Sequence, residues 1–262
     1  GTLVHTLCLI PISPFAGLSE QKTIKESLKM NESRTTTFNR AGAAPGAVVR
    51  NRVLRNTYWL LAASLVPTVL GAYIGMATGL ASVMGRSPGI TAILFLVGAF
   101  GLMFAIEKNK ESGVGVGLLL LFTFFMGLML SRMIGFVMGF SNGATLVMTA
   151  FGGTAAVFGT MAVLSTTIKR DLSGMGKWVM VGAVVLILAS LANIFLQLPA
   201  LMLTVSVMAI VIFSAFMLVD LQRVVNGGET NYVSATLAIY LDVYNVFANL
   251  LALLGIFGGS RE

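Results

Sequence analysis

The sequence predicts an all-α integral membrane protein with seven transmembrane helices. Hydrophobic residues make up 56% of the 262 positions and charged residues only 10%, which is far from the balance of a soluble domain. Apolar runs of about 20 residues, long enough to cross a hydrocarbon core of ~30 Å as helices, follow one another along the chain. The connections between these runs are short, so a soluble domain has no room between spans.

Charged residues, glycine and proline separate the predicted spans. The second span stops before Glu107, the fourth stops before Lys169, and Pro199 starts the sixth. The predicted spans cover residues 57–80, 90–106, 114–134, 144–168, 178–196, 199–225 and 233–257. Glycines at four-residue spacing inside or beside these spans predict close helix packing within one chain rather than a dimer interface, and leave the oligomeric state open. These glycines are Gly71, Gly75 and Gly79, and Gly135, Gly139 and Gly143.

The chain before the first span divides into two parts. Residues 1–29 are predicted to be a non-native leader, because they contain no membrane-length run and Met30 opens a polar stretch typical of a cytosolic start. A cleaved signal peptide is the alternative for residues 3–17, although two prolines interrupt its apolar core and no basic residue precedes it. Residues 30–55 are then a cytoplasmic tail, and residues 56–259 form the transmembrane domain.

The distribution of His, Cys and Asp argues against an enzyme. His5 and Cys8, the only His and Cys of the chain, both lie in the predicted leader. Zinc sites and nucleophilic Ser/His or Cys/His catalysis need these residues, so we expect no catalytic residue, no metal site and no cofactor. An intramembrane aspartyl protease is disfavoured as well, because Asp242 lies in YLDVYN without the glycine of a GxGD motif.

Lysine and arginine are distributed unequally between the two sides of the predicted membrane domain. Cytoplasmic loops carry the excess of these residues, so we expect a cytoplasmic N-terminus and a C-terminus outside. The formal charge of +7 is explained by this asymmetry and by anionic lipid, without nucleic-acid binding. From Met30 onward, eleven lysines and arginines lie on the side of the N-terminal tail, namely Arg34, Arg40, Arg50, Arg52, Arg55, Lys108, Lys110, Lys169, Arg170, Lys177 and Arg223. Three lie on the other side, namely Arg86, Arg132 and Arg261.

Two aspartates in the last two spans are the candidate functional site. Asp220 lies in LVDLQRV and Asp242 in IYLDVYN, and an ionisable residue inside a bilayer usually belongs to an ion path, a proton relay or a sensor. The two spans form a hairpin in which the depths of the acids differ by only ~6 Å. Asn245 and Asn249 follow Asp242 at i+3 and i+7 and extend a supporting polar stripe along one helix face.

The chemistry of such a pair predicts a pH sensor. Two neighbouring carboxylates in a poorly solvated site cannot easily both ionise, so they would share one proton and titrate as a unit. Protonated, the pair would hold the two helices together; ionised, it would offer oxygen ligands to a cation. Ca²⁺ prefers about six to eight oxygens, so we expect only weak binding. In the alternative, Asp220 is solvated or paired with Arg223, and Asp242 hydrogen-bonds to a neighbouring helix.

Several separated motifs resemble one membrane-protein family. LVDLQRV and the closing stretch NYVSATLAIYLDVYNVFANLLALLGIFGG resemble the Bax inhibitor-1 family, also called the transmembrane Bax inhibitor motif proteins. VLRNTYWLL, KRDLSGMG, NIFLQLPAL and NGGETNY are similar to its bacterial YccA-like branch. The resemblance covers about residues 50–259.

The resemblance implies a fold, a place and two functions. Six helices would surround the last one, in the bacterial inner membrane. The aspartate pair that gates a pH-dependent calcium leak in some relatives would fall on Asp220 and Asp242, although residues 90–106 lack the further acid of leak-competent relatives. The YccA-like branch instead implies a slow substrate and inhibitor of the membrane protease FtsH. That protease would engage the tail through Asn31, Arg34 and Arg40, and the leak channel is the alternative function.

Overall fold

The computed structural model describes residues 45–86 and 88–259, and this part of the chain consists of α-helices and connecting turns. The contacts divide the chain into two units, residues 1–48 and residues 49–262. The second unit is a helical bundle. The predicted leader and most of the predicted tail lie outside the described residues.

Seven helices of the described chain are long and apolar enough to cross a membrane, which confirms the predicted all-α polytopic fold. The short helix α2, in contrast, was not predicted from the sequence. The helices are α1 (Pro45–Ala77), α2 (Leu80–Arg86), α3 (Pro88–Asn109), α4 (Gly113–Met138), α5 (Gly143–Thr167), α6 (Ser173–Leu196), α7 (Pro199–Val225) and α8 (Tyr232–Gly258).

Local backbone chemistry sets several helix ends. Gly79 has a φ of 72°, a left-handed conformation that glycine adopts without steric cost, and it separates α1 from α2. Pro199 starts α7, where its missing N–H breaks no helical hydrogen bond. Asn231 caps α8, because its side-chain oxygen accepts hydrogen bonds from the backbone N–H groups of Val233 and Ser234.

Glycine allows α1 and α4 to approach closely. A Cβ on Gly71 would collide with the Phe124 carbonyl of α4, and one on Gly127 would collide with the Thr68 carbonyl of α1. Gly75 likewise packs against Ser131. The first predicted glycine repeat therefore packs within the chain at two of its three positions, while Gly79 ends the helix.

The second predicted glycine repeat does not form a helix face. The helix α4 ends at Met138, with Gly139 as its C-cap, and α5 begins at Gly143. Gly135 therefore lies within α4, while Gly139 and Gly143 mark the two ends of the turn between α4 and α5. The spacing alone did not reveal this, because glycine is common at the C-terminal ends of helices as well as at helix contacts.

The last helix contacts several others and contributes much of the core. It packs against α7, α5 and α4, and it is joined to α1 by hydrogen bonds from Thr236 and Tyr240. Tyr240 and Phe122 are the largest fully buried side chains, and their rings meet edge to face with centroids 6.1 Å apart. The encirclement of this helix by six others stays a prediction.

Candidate functional site

The two predicted acids lie on the adjacent antiparallel helices α7 and α8. Asp242 is buried, with only 4% of its surface exposed, and the Asp220 side chain is 16% exposed. The negative charge of Asp220 acts on the Asp242 carboxyl group. Arg223 and Glu229 also act on Asp220, so the charged surroundings of the pair contain one cation and one further acid.

The two acids differ in their partners. The distance from Arg223 Nη1 to Asp220 Oδ1 is 3.8 Å, and the arginine side chain is 48% exposed, so this ion pair is long and screened by solvent. Asp242 Oδ2 is buried and has no hydrogen-bond partner among the described residues. A buried polar atom without a partner is costly. Asp242 is therefore the member of the pair that the fold leaves unsatisfied.

Asn245 and Asn249 continue from Asp242 along α8, but they bond to their own helix. The Asn245 side-chain amide donates to the Leu241 carbonyl at 2.8 Å, and that of Asn249 donates to the Asn245 carbonyl at 2.8 Å. Each amide therefore bonds to the backbone carbonyl four residues before it, and these bonds do not tie α8 to a neighbouring helix. We call Asp242, Asn245 and Asn249 the acid–amide face of α8.

A second polar face of α8 was missed by the sequence reasoning. Thr236, Tyr240 and Tyr244 recur at four-residue spacing, and Asp242 is displaced from Tyr240 by about 200° around the helix. The hydroxyls of Tyr240 and Thr68 are hydrogen-bonded at 2.8 Å, and Tyr244 donates to the Met126 carbonyl at 3.5 Å. We call Thr236, Tyr240 and Tyr244 the hydroxyl face; its signal in the sequence was the spacing of the three hydroxyls.

Two buried amides tie connecting loops to α7 and α8. Gln222 Nε2 donates to the carbonyls of Ile168 and Arg170 at 3.0 and 2.9 Å, and its Oε1 accepts from the Leu172 N–H at 2.9 Å. Asn231 Nδ2 donates to the Lys110 carbonyl at 3.1 Å. Both residues were missed, although an uncharged amide inside an apolar span was a signal for Gln222.

These contacts gather the basic connections at one end of the bundle. The start of α1, the α3–α4 turn, the α5–α6 turn and the α7–α8 turn all lie there, and we call this the basic end. In the α5–α6 turn, the side-chain hydroxyl and then the backbone N–H of Ser173 hydrogen-bond to Asp171 and lower its pKa from the usual value. Asp220 lies near the basic end because α7 ends at Val225.

Asn31, Arg34 and Arg40 of the tail lie outside the described residues. Within residues 45–86 and 88–259, no three His, Cys, Asp or Glu side chains cluster as ligands for a metal ion.

Seven apolar helices with an acid pair between the last two define a multi-pass membrane protein with polar groups in its core. The chain belongs to the family described as Inhibitor of apoptosis-promoting Bax1, whose family model matches residues 50–259. The match confirms the resemblance carried by the aspartate motifs.

Bacterial relatives match nearly their whole length. The chain is 39% identical over 205 residues to the Modulator of FtsH protease YccA of Escherichia coli strain K12, covering 78% of this chain and 90% of the relative. It is 37% identical over 211 residues to an uncharacterized protein of Neisseria meningitidis serogroup A, covering 79% and 92%. An uncharacterized membrane protein of Vibrio cholerae is 35% identical over 227 residues, covering 86% of this chain and 99% of the relative.

Proposed function

We propose that this chain is a regulatory protein of the bacterial inner membrane that restrains an FtsH-type membrane protease, as a slowly degraded substrate, rather than an enzyme. The observation that carries the proposal is the 39% identity to a protein named as a modulator of FtsH, over 90% of that protein. Another relative with the same identity is named as an inner membrane protein.

The basic end supports a cytoplasmic position for the N-terminus. Loop lysines and arginines collect on the cytoplasmic side of membrane proteins, and the bundle groups its α1 start with the α3–α4, α5–α6 and α7–α8 turns. The tail would then extend into the compartment where an ATP-dependent protease can engage an exposed chain terminus. Asn31, Arg34 and Arg40 are the proposed contacts.

Deletion of residues 31–40 tests the restraint. The full chain is expected to delay degradation of a membrane reporter by the protease, and the deletion is expected to abolish that delay, because the protease has lost its entry segment. A matched control replaces residues 31–40 by a Gly/Ser segment of equal length, which separates tail length from tail sequence. If the deleted chain delays degradation as well as the full chain does, engagement through the tail is wrong.

The acid pair supports a second candidate function, a pH-sensitive cation leak. The specific observation is the buried Asp242 Oδ2, which has no hydrogen-bond partner in the described part of the chain and belongs to a carboxyl group on which the charge of Asp220 acts. When both acids are ionised, their repulsion would favour separation of α7 and α8 and would present oxygen atoms to a cation. Two carboxylates supply few of the ligands that Ca²⁺ requires, so transit with weak binding is expected rather than a tight site.

Calcium flux into dye-loaded proteoliposomes tests the leak. Asp220→Asn and Asp242→Asn are each expected to alter the pH dependence of flux, since each removes one titrating member of the pair. Asp171→Asn is the control, because Asp171 is an exposed acid bonded to Ser173 in a loop. An unchanged pH profile of calcium flux in both Asp220→Asn and Asp242→Asn would rule out the sensor. That result would leave the proposed restraint of the protease standing, because the reporter assay tests it separately.

A further inference from the structure

A cleft lies between α3 and α8, and neither Asp220 nor Asp242 lines it. Its volume is about 410 Å³, within the range of roughly 300–1,000 Å³ typical of ligand sites. Phe100, Phe104 and Leu241 contribute to its apolar walls, while Glu107 and Ser234 stand at one end. Phe100 is 61% and Phe104 is 74% exposed, so the cleft opens sideways, towards lipid.

The polar end of the cleft carries both signs of charge. Lys110 Nζ donates to Glu107 Oε2 at 2.9 Å, and both side chains are partly exposed, at 37% and 46%. Lys108 lies between these two residues in the chain and Glu111 follows Lys110, and together they add one charge of each sign. The rim therefore holds a carboxylate and an ammonium group in direct contact at the membrane surface, and Glu229 adds a further negative charge near Lys110.

The shape of the cleft fits an extended apolar chain. Glu107 and Phe100 are seven residues apart on α3, which corresponds to about 10 Å along the helix axis. Ser234 and Leu241 show the same spacing on α8. The cleft therefore runs about two helical turns from a charged rim into the apolar part of the membrane, which is the arrangement of a lipid headgroup above its acyl chain.

We propose that the α3–α8 cleft binds a phospholipid with a primary-amine headgroup. The acyl chain lies along the apolar walls, the ammonium donates to Glu107, and the phosphate accepts from Lys110. A zwitterion matches a rim that holds one carboxylate and one ammonium. A choline headgroup has no N–H donor for Glu107, and a glycerol headgroup leaves the lipid with a net negative charge beside that carboxylate.

Native mass spectrometry of the full chain in detergent tests the site, with phosphatidylethanolamine, phosphatidylcholine and phosphatidylglycerol added separately. Phosphatidylethanolamine is expected to be retained most. Ala238→Phe places a ring in the cleft, because Ala238 lines it, and should remove the bound lipid. Ala155→Phe is the control, since Ala155 is exposed on α5; it should retain the lipid.

A rim substitution keeps the test decisive if Ala238→Phe does not fold. Glu107→Gln is expected to lower phosphatidylethanolamine affinity about threefold to tenfold, the effect of losing one partly exposed charge-assisted hydrogen bond, and to leave phosphatidylcholine affinity unchanged. Lys169→Gln, in another exposed loop, serves as its control. Equal retention of the three lipids, preference for phosphatidylglycerol, or a dimer mass in place of a lipid adduct would overturn the proposal.

Discussion

The two polar faces of α8 differ in where their hydrogen bonds lead. On the hydroxyl face, Tyr240 and Tyr244 bond to α1 and α4. On the acid–amide face, Asn245 and Asn249 bond to α8 itself, and Asp242 Oδ2 has no partner among the described residues. The first face fixes the helix in the bundle. The acid–amide face makes no such hydrogen bonds to other helices among the described residues. Movement of α8 against α7 on this face therefore requires the least free energy.

Tyr240→Ala, on the hydroxyl face, should produce the largest change in the free energy of unfolding. The side chain is 1% exposed, and its removal leaves a cavity as well as breaking the bond to Thr68. We expect a loss of about 3–5 kcal/mol in the free energy of unfolding, measured by denaturation in mixed micelles. Tyr240→Phe removes only the hydroxyl and should cost roughly 0.6 kcal/mol, the average for hydrogen bonds between membrane helices.

Tyr73→Ala is the control for the tyrosine substitutions. Tyr73 is 66% exposed on α1 and should change the free energy of unfolding by about 0.5 kcal/mol or less. An equal loss from Tyr240→Ala and Tyr73→Ala would mean that the hydroxyl face does not anchor α8.

Asp242→Asn should change the free energy of unfolding by less than Tyr240→Ala does, and it should raise it rather than lower it. The substitution keeps the side-chain volume and replaces a buried oxygen that lacks a hydrogen-bond partner within residues 45–86 and 88–259. The new amide can donate to the backbone carbonyl four residues earlier, as Asn245 and Asn249 already do. At a pH where Asp242 is ionised, we expect a gain of about 1–3 kcal/mol in the free energy of unfolding, the penalty normally paid by an unsatisfied buried group.

Asp220→Asn is the matched variant for Asp242→Asn. Asp220 has Arg223 nearby and is partly exposed, so the substitution should change stability by about 1 kcal/mol or less. A loss of stability in Asp242→Asn would show that Asp242 is bonded in the native state, and the contrast between the faces would fail.

The sequence predicts the spans and the acids for the same physical reason. A bilayer requires long apolar helices, so their boundaries and any charge within them are visible in the composition. Asp220 and Asp242 stand out on that background. Tyr240 does not, because tyrosine is compatible with an apolar helix and its role depends on which helix lies opposite. Gln222 is similar: its three hydrogen bonds reach a loop 50 to 54 residues away in the chain, and no local pattern specifies that partner.

Asn249→Ala should have the smallest effect on the free energy of unfolding. It tests whether the acid–amide face makes no stabilising bond to a neighbouring helix. The Asn249 amide bonds only within α8 in the contacts of the described chain, and alanine has the higher helix propensity. We therefore expect a change of about 0.5 kcal/mol or less in the free energy of unfolding. If the acid–amide face lines the ion path from Asp242, the substitution should also change the pH dependence of calcium flux. A loss well above that value would place a neighbouring helix on this face. The face would then resist movement as the hydroxyl face does, and the freedom of α8 against α7 would have to come from Asp242 alone.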